Sequence, residues 1–240
     1  MSTVKRLLVL LILLSGCTSA DIVTETPETV TLTVVISPAV FPVRLAVSTC
    51  GAQTPEAVVF IREGFTGQAD ADLVIRLGEP DNFPPFVAQV SQEEIVLVVN
   101  PSNQAATLTL DQVADVFSGR IRNWSVIGGS DAEIQVWTFM EADETRQIFD
   151  RGVLGGGKVI PSALLAPHPS AMLEAISRDP LAVGYIPKAW STDEVSTIVL
   201  GIQLPVLVVA DEVPQGAARE LVACLQGELG QEIILPFYSP

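Results

Sequence analysis

Residues 139–146, Phe-Met-Glu-Ala-Asp-Glu-Thr-Arg, put two adjacent carboxylates, a hydroxyl and a guanidinium in consecutive positions. They stand where a β-rich run gives way to a helical one, so Asp143, Glu144, Thr145 and Arg146 could meet a ligand together with first-turn backbone N–H groups. The same residues have a purely local reading. Asp143 is an ordinary helix N-cap, and Glu144 is a first-turn acid that the helix dipole favours. Should the loop bind, its carboxylates favour a cation, an amine or a hydroxyl-rich ligand over a free anion. Arg146 is the nearby cation that could offset them. A second hydroxyl-bearing stretch, Ser48-Thr49-Cys50-Gly51, follows a short β-rich run.

Enzymatic chemistry finds little support. There is no Gly-x-Ser-x-Gly elbow, no Cys-x-x-Cys and no phosphate-cradling P-loop. The single histidine, His168, stands between two prolines and reads as a loop residue. One histidine makes no metal cluster, and no serine has a triad context. The chain is therefore expected to be non-enzymatic, with no metal and no cofactor.

The elements that must position these residues alternate between strand and helix. Strands are predicted at residues 31–37, 43–48, 72–76, 94–100, 133–138 and 181–186, with one or two more in 195–209. Helices are predicted from Thr54-Pro55 to about residue 64, over 144–154 and 170–177, and from Pro214 to about 225. The clearest helix lies in residues 107–129. Thr109 and Gln112 form a capping box, and Leu110, Val113, Ala114, Val116 and Phe117 give an apolar face. Gly119 sits where a left-handed C-cap belongs. Trp124 packs back on this helix, and Gly128-Gly129 turns the chain into the next strand. The alternation predicts an α/β fold with a largely parallel sheet.

The first residues are a secretion signal. Lys5 and Arg6 precede an apolar run, residues 7–14, that is too short to span a bilayer. Leu14-Ser-Gly-Cys17 resembles the lipobox of bacterial lipoproteins, so residues 1–16 are expected to be cleaved and Cys17 lipidated. Residues 17–30 read as a polar tether. The net charge of −15 includes both of those early cations. No basic patch supports nucleic-acid binding. Cys50 and Cys224 remain in a disulfide-permitting compartment, either bridged or as two buried thiols.

The order of motifs resembles the phosphate-type periplasmic substrate-binding proteins of ABC transporters. The resemblance runs through residues 95–103, the Leu-Thr-x₃-Val-x₂-Val-Phe-x-Gly-x-Ile-x-Asn-Trp stretch within 108–124, Ile134 to Trp137, residues 141–149, Leu-Ala-Val-Gly-Tyr-Ile-Pro at 181–187, and a terminal helix at 216–233. It covers residues from about 90 to 236 and implies a two-lobed type II periplasmic-binding-protein-like fold. Lobe one would comprise 31–100 plus 190–240 and lobe two 101–189. Lobe one is expected to be shortened, lacking the second strand and following helix of the family.

The resemblance also implies a small-molecule or ion ligand between hinged lobes, an ABC permease as partner, and a lipid-anchored location facing the periplasm or cell exterior. Ser48 and Thr49 then match a cleft loop after the first strand, and Tyr185 faces the cleft from a strand returning to the hinge. In the family, the loop at 139–146 reads arginine, two variable residues, then Gly-Ser-Gly-Thr. Thr145 matches the threonine, but Phe139, Asp143 and Glu144 replace the arginine, the serine and the second glycine. That exchange makes phosphate itself doubtful. An alternative is a degenerate binding domain serving as an interaction or sensory lipoprotein.

Overall fold

The computed structural model describes residues 29–54, 56–65, 70–103 and 107–239. The expected signal peptide, Cys17 and nearly all of the tether lie outside the described residues. The strands are β1 (Val30–Ile36), β2 (Ala57–Glu63), β3 (Leu73–Leu77), β4 (Phe86–Val99), β5 (Gln135–Thr138), β6 (Leu164–Leu165), β7 (Ala182–Pro187) and β8 (Ser196–Ala210). The helices are α1 (Arg44–Gly51), α2 (Leu110–Phe117), α3 (Glu144–Gly152), α4 (Pro169–Arg178), α5 (Gly216–Gln226) and α6 (Glu228–Ile234). Among the described residues, no helix is long and apolar enough to cross a membrane.

All strands join one eight-stranded sheet in the order β2-β1-β3-β8-β4-β7-β5-β6. At one end β1 pairs in parallel with β2 and β3, and at the other β5 pairs in parallel with β7 and β6. The long antiparallel strands β4 and β8 join the two parallel groups. Their burial shows how. In β4, Ile95 to Val99 is continuously buried where it lies between β7 and β8. In β8, Val206 to Ala210 is continuously buried where it lies between β3 and β4. The first part of β8 instead alternates between exposed and half-buried residues, as a strand with one solvated face should. Each long strand is thus interior in one half of the sheet and outermost in the other. Their ladder slips register at Gln89/Ser91 and again at Ile95/Val96, between the two halves.

Two early assignments exchange places. Residues 43–48, expected as a strand, are helical: Val43 is the N-cap of α1 and the rest lie within it. Val43, Ala46, Val47 and Cys50 are buried at helical spacing, a period that the flanking prolines obscured. Residues 57–63, within the stretch expected as a helix from Thr54-Pro55, form β2. Its Val-Val-Phe-Ile core is β-branched and aromatic, and it pairs with β1 through its whole length. The second strand of the first half is therefore present. No helix is found among the described residues between β2 and β3, so the first half is still short.

Other expectations hold with shifted ends. α2 carries the Thr109–Gln112 capping box, and Gly119 has φ 78° just past its end. The 195–209 region is a single strand, and the terminal helix is two helices, α5 and α6. Gly230 lies in the first turn of α6, where a Cβ would stand 2.4 Å from the Cys224 carbonyl oxygen, so only glycine fits. Cys50 on α1 and Cys224 on α5 are bridged, with Cα atoms 5.7 Å apart.

The second half is held by an aromatic cluster. Phe149 stacks on Tyr185 with ring centroids 3.8 Å apart, and Phe117 and Phe139 meet Tyr185 edge-on. Trp124 is fully buried and donates from Nε1 to the Leu181 carbonyl, as its expected packing role requires.

Candidate functional site

The two halves meet where the carboxyl ends of β1 and β3 face the N-terminus of α3. In parallel α/β sheets this end of the strands is where ligands collect. Ile36 pairs with Ile75, and the Ser37 N–H donates to the Ile75 carbonyl at 2.9 Å, so Ser37 sits beside Arg76. From the other half, Glu144 reaches across. Its Oε2 accepts from the Leu77 backbone N–H at 3.1 Å, and its Oε1 lies 3.6 Å from Arg76 Nε. Gly78, just past β3, has φ 73°, a left-handed conformation that favours glycine, and lies against Ile148 of α3.

The junction is buried and rich in unsatisfied polarity. Ser37 Oγ, Thr145 Oγ1 and Arg76 Nε are all buried and make no hydrogen bond. Buried hydroxyls and guanidinium nitrogens are nearly always paired, so three orphans at one junction mark a place prepared for something else. Asp143 is 2% exposed and caps α3, its Oδ1 accepting from the Arg146 N–H at 3.2 Å. Burial pushes its carboxyl up to about 6, with the Arg146 N–H opposing and the Glu144 charge adding to the rise.

The other expected site residues are placed elsewhere. Arg146 turns inward, donating from Nε to both Asp150 oxygens and from Nη1 to Thr138 Oγ1 and the Phe139 carbonyl. Tyr185 is fully buried in the aromatic cluster and shares a 2.7 Å hydrogen bond with Thr138. Burial pushes its phenol well up, against the Thr138 contact. Ser48 and Thr49 lie in the last turn of α1, because the run preceding them is helix rather than strand. Ser48 lines a separate cavity of about 510 Å³ with Phe41, Leu45 and Phe237. Of the loop expected to bind, then, Asp143, Glu144 and Thr145 come together at the junction, whereas Arg146 belongs to the fold of the second half.

Ser37 and Arg76 escaped the sequence reading. Ser37 directly follows the first apolar strand, and Arg76 is the cation in the otherwise apolar Leu-Val-Ile-Arg-Leu. Either signal was available, but using it required β1 to be identified as the first strand of a parallel unit. Among the described residues no group of three or more histidine, cysteine or acidic side chains is placed to hold a metal ion.

A third feature lies on the crossing strands. Glu93 of β4 is 3% exposed, and its carboxylate accepts from the Glu94 and Ala189 N–H groups at 2.7 and 3.1 Å. Burial raises its carboxyl to about 7 against those bonds and the nearby Lys188 charge. Trp190 Nε1, just beyond, donates to the Pro38 and Ala39 carbonyls at 3.1 Å each. The segment after β7 is thereby tied both to β4 and to the residues that follow Ser37.

Comparison with known proteins agrees with this architecture. The phosphate-binding protein PstS of Bacillus subtilis is 24% identical over 156 residues, which span 59% of this chain and 51% of that protein. The match thus covers only about half of that relative's length. A putative phosphate ABC transporter substrate-binding protein from Clostridium perfringens, solved with bound phosphate, superposes with a TM-score of 0.79 at 18% identity, covering 87% of this chain and 98% of that one. An ABC-type phosphate transport receptor from Vibrio cholerae gives 0.72 at 21% identity, covering 87% and 99%. At such identities these structures establish the fold, the type II periplasmic-binding-protein architecture. The sequence model described as the PBP superfamily domain matches residues 76–228, well over half of the chain, and the protein belongs to that superfamily.

Proposed function

We propose that this protein is a lipid-anchored extracytoplasmic solute-binding component of an ABC importer. It carries a small polar ligand at the junction of Ser37, Arg76 and Thr145. In this reading residues 31–100 plus 190–240 and residues 101–189 act as lobes, and β4 and β8 are the strands that flex between them. A ligand contacting both lobes favours the closed form in proportion to its extra affinity for that form, and the closed form docks on the permease. Cys17 carries the lipid. The observation behind this reading is the convergence of three buried, unpartnered polar atoms from both halves at one junction. Phosphate, the solute named for the relatives, is not favoured here, because the Glu144 carboxylate already takes the Leu77 N–H and faces Arg76.

The test is a thermal-shift panel on the purified protein with phosphate, sulfate, sugars, amino acids and divalent cations. A true solute at about one hundred times its dissociation constant should add about 2.7 kcal/mol to stability. Ser37→Ala and Thr145→Ala should each weaken that shift. Loss of fatty-acid labelling in Cys17→Ala would check the anchor separately. A second reading, an interaction or sensory lipoprotein that has given up solute binding, is favoured by the Glu144–Arg76 contact across the junction. A panel in which no solute moves the melting temperature would leave that reading in place.

A further inference from the structure

The Glu144 carboxylate comes from the second half, yet the Leu77 N–H and the Arg76 guanidinium that hold it belong to the first. A side-chain anion thus already spans the junction that a solute would have to span. We propose that Glu144 is a tethered stand-in for a ligand's negative charge: it draws the two halves together without a solute, and its removal turns the junction into a site for a small oxyanion. This rests on the solute-binding reading of the same junction but concerns a residue which that reading treats as an obstacle.

The donor set argues for it. A carboxylate has two oxygens, and here one takes the Leu77 N–H while the other stops 3.6 Å from Arg76 Nε, beyond hydrogen-bond reach. Arg76 Nε, Ser37 Oγ and Thr145 Oγ1 are left without acceptors. A tetrahedral oxyanion offers four oxygens in different directions. It can accept from a backbone N–H, a guanidinium and two hydroxyls at once, where the planar carboxylate satisfies only part of the set. The nine-residue helix α3 also directs its positive end at this point. Glu144 is well placed to be the substituted group. It occupies the first position of α3, so its truncation removes the charge without removing the Asp143 cap.

Two variants test this. Glu144→Gly removes the side chain, and Glu144→Gln keeps its volume and its acceptor for Leu77 while removing its charge. In calorimetric titration with inorganic phosphate or sulfate, Glu144→Gly should bind at least about tenfold more tightly than wild type, a change of about 1.4 kcal/mol. Arg76→Ala added to it should abolish the gain. Small-angle scattering should show both single variants more extended than wild type without ligand, with phosphate restoring compactness only in Glu144→Gly. Equal phosphate affinity in Glu144→Gly and wild type would overturn the proposal. So would a Glu144→Gln variant as compact as wild type, a measurement that survives if the glycine variant fails to fold. The solute panel on wild type fails or succeeds independently, because it asks about a ligand that coexists with Glu144.

Discussion

The two halves of the molecule share a sheet and a strand–helix alternation but are secured by different means. The first half, around β1, β2 and β3, is clasped by the Cys50–Cys224 bridge between α1 and α5. The second, around β5 and β7, has no cysteine and relies on the Phe117–Phe139–Phe149–Tyr185 cluster and the buried Arg146–Thr138–Tyr185 chain of polar contacts. Among the described residues each half carries three α-helices; the first carries the covalent link, and the second, with the aromatic cluster, does without one. The difference also separates the candidate site's two walls. Ser37 and Arg76 stand on a disulfide-held frame, whereas Asp143, Glu144 and Thr145 stand on a frame held by aromatic packing.

That contrast can be broken most severely at Phe149. Phe149→Ala opens a cavity beside Tyr185 and should cost about 4 kcal/mol in denaturant unfolding, with the loss centred on the second half. A cost below about 1 kcal/mol would mean that the cluster is not what holds that half. Next in size, the Cys50→Ala/Cys224→Ala double variant should lose about 3 kcal/mol. Hydrogen exchange should then rise in α1, α5 and α6 before it rises in α2 or α3. Equal loosening of both halves would erase the distinction drawn here.

The third effect belongs to two buried carboxyls, Glu93 on β4 and Asp143 at the start of α3. Glu93 and Asp143 have carboxyls raised by burial to about 7 and about 6, so the folded state holds their protons more tightly than the unfolded chain does. The stabilisation that this gives is complete below their unfolded values and disappears as pH rises through 6 and 7. Unfolding free energy should therefore fall by roughly 2 kcal/mol between pH 5 and pH 8, and Glu93→Gln should flatten most of that slope. A slope of the opposite sign would show that the ionised carboxylates are the better-held forms.

How far the sequence revealed this depends on how local each signal is. The Thr109–Gln112 box, the Asp143 cap and Gly119 were legible, because each is a contact within one turn of chain. So was the buried end of β4, whose unbroken run of branched apolar residues suits a strand covered on both sides. The exchange of α1 and β2 came from giving punctuation precedence over period. Pro38 and Pro42 suggested strand breaks, and Thr54-Pro55 suggested a helix start, whereas side-chain pattern and pairing with β1 decided otherwise. The site was half legible. Glu144 announced itself by its neighbours in sequence, but its partners Arg76 and Leu77 lie 68 and 67 positions away along the chain, and no spacing rule connects them. Arg146, which sequence alone offered as the compensating cation, is instead captured by Asp150 one helical turn along.

The Cys50–Cys224 bridge has a topological consequence. Its partners are 174 positions apart, so every residue of α2, α3 and α4 lies inside one closed covalent circle whose clasp is between α1 and α5 of the first half. A protease cutting the exposed glycine turn at 155–157 would open that circle without releasing either piece. The nicked chain would keep its mass and migrate as one species until a reductant parted the fragments.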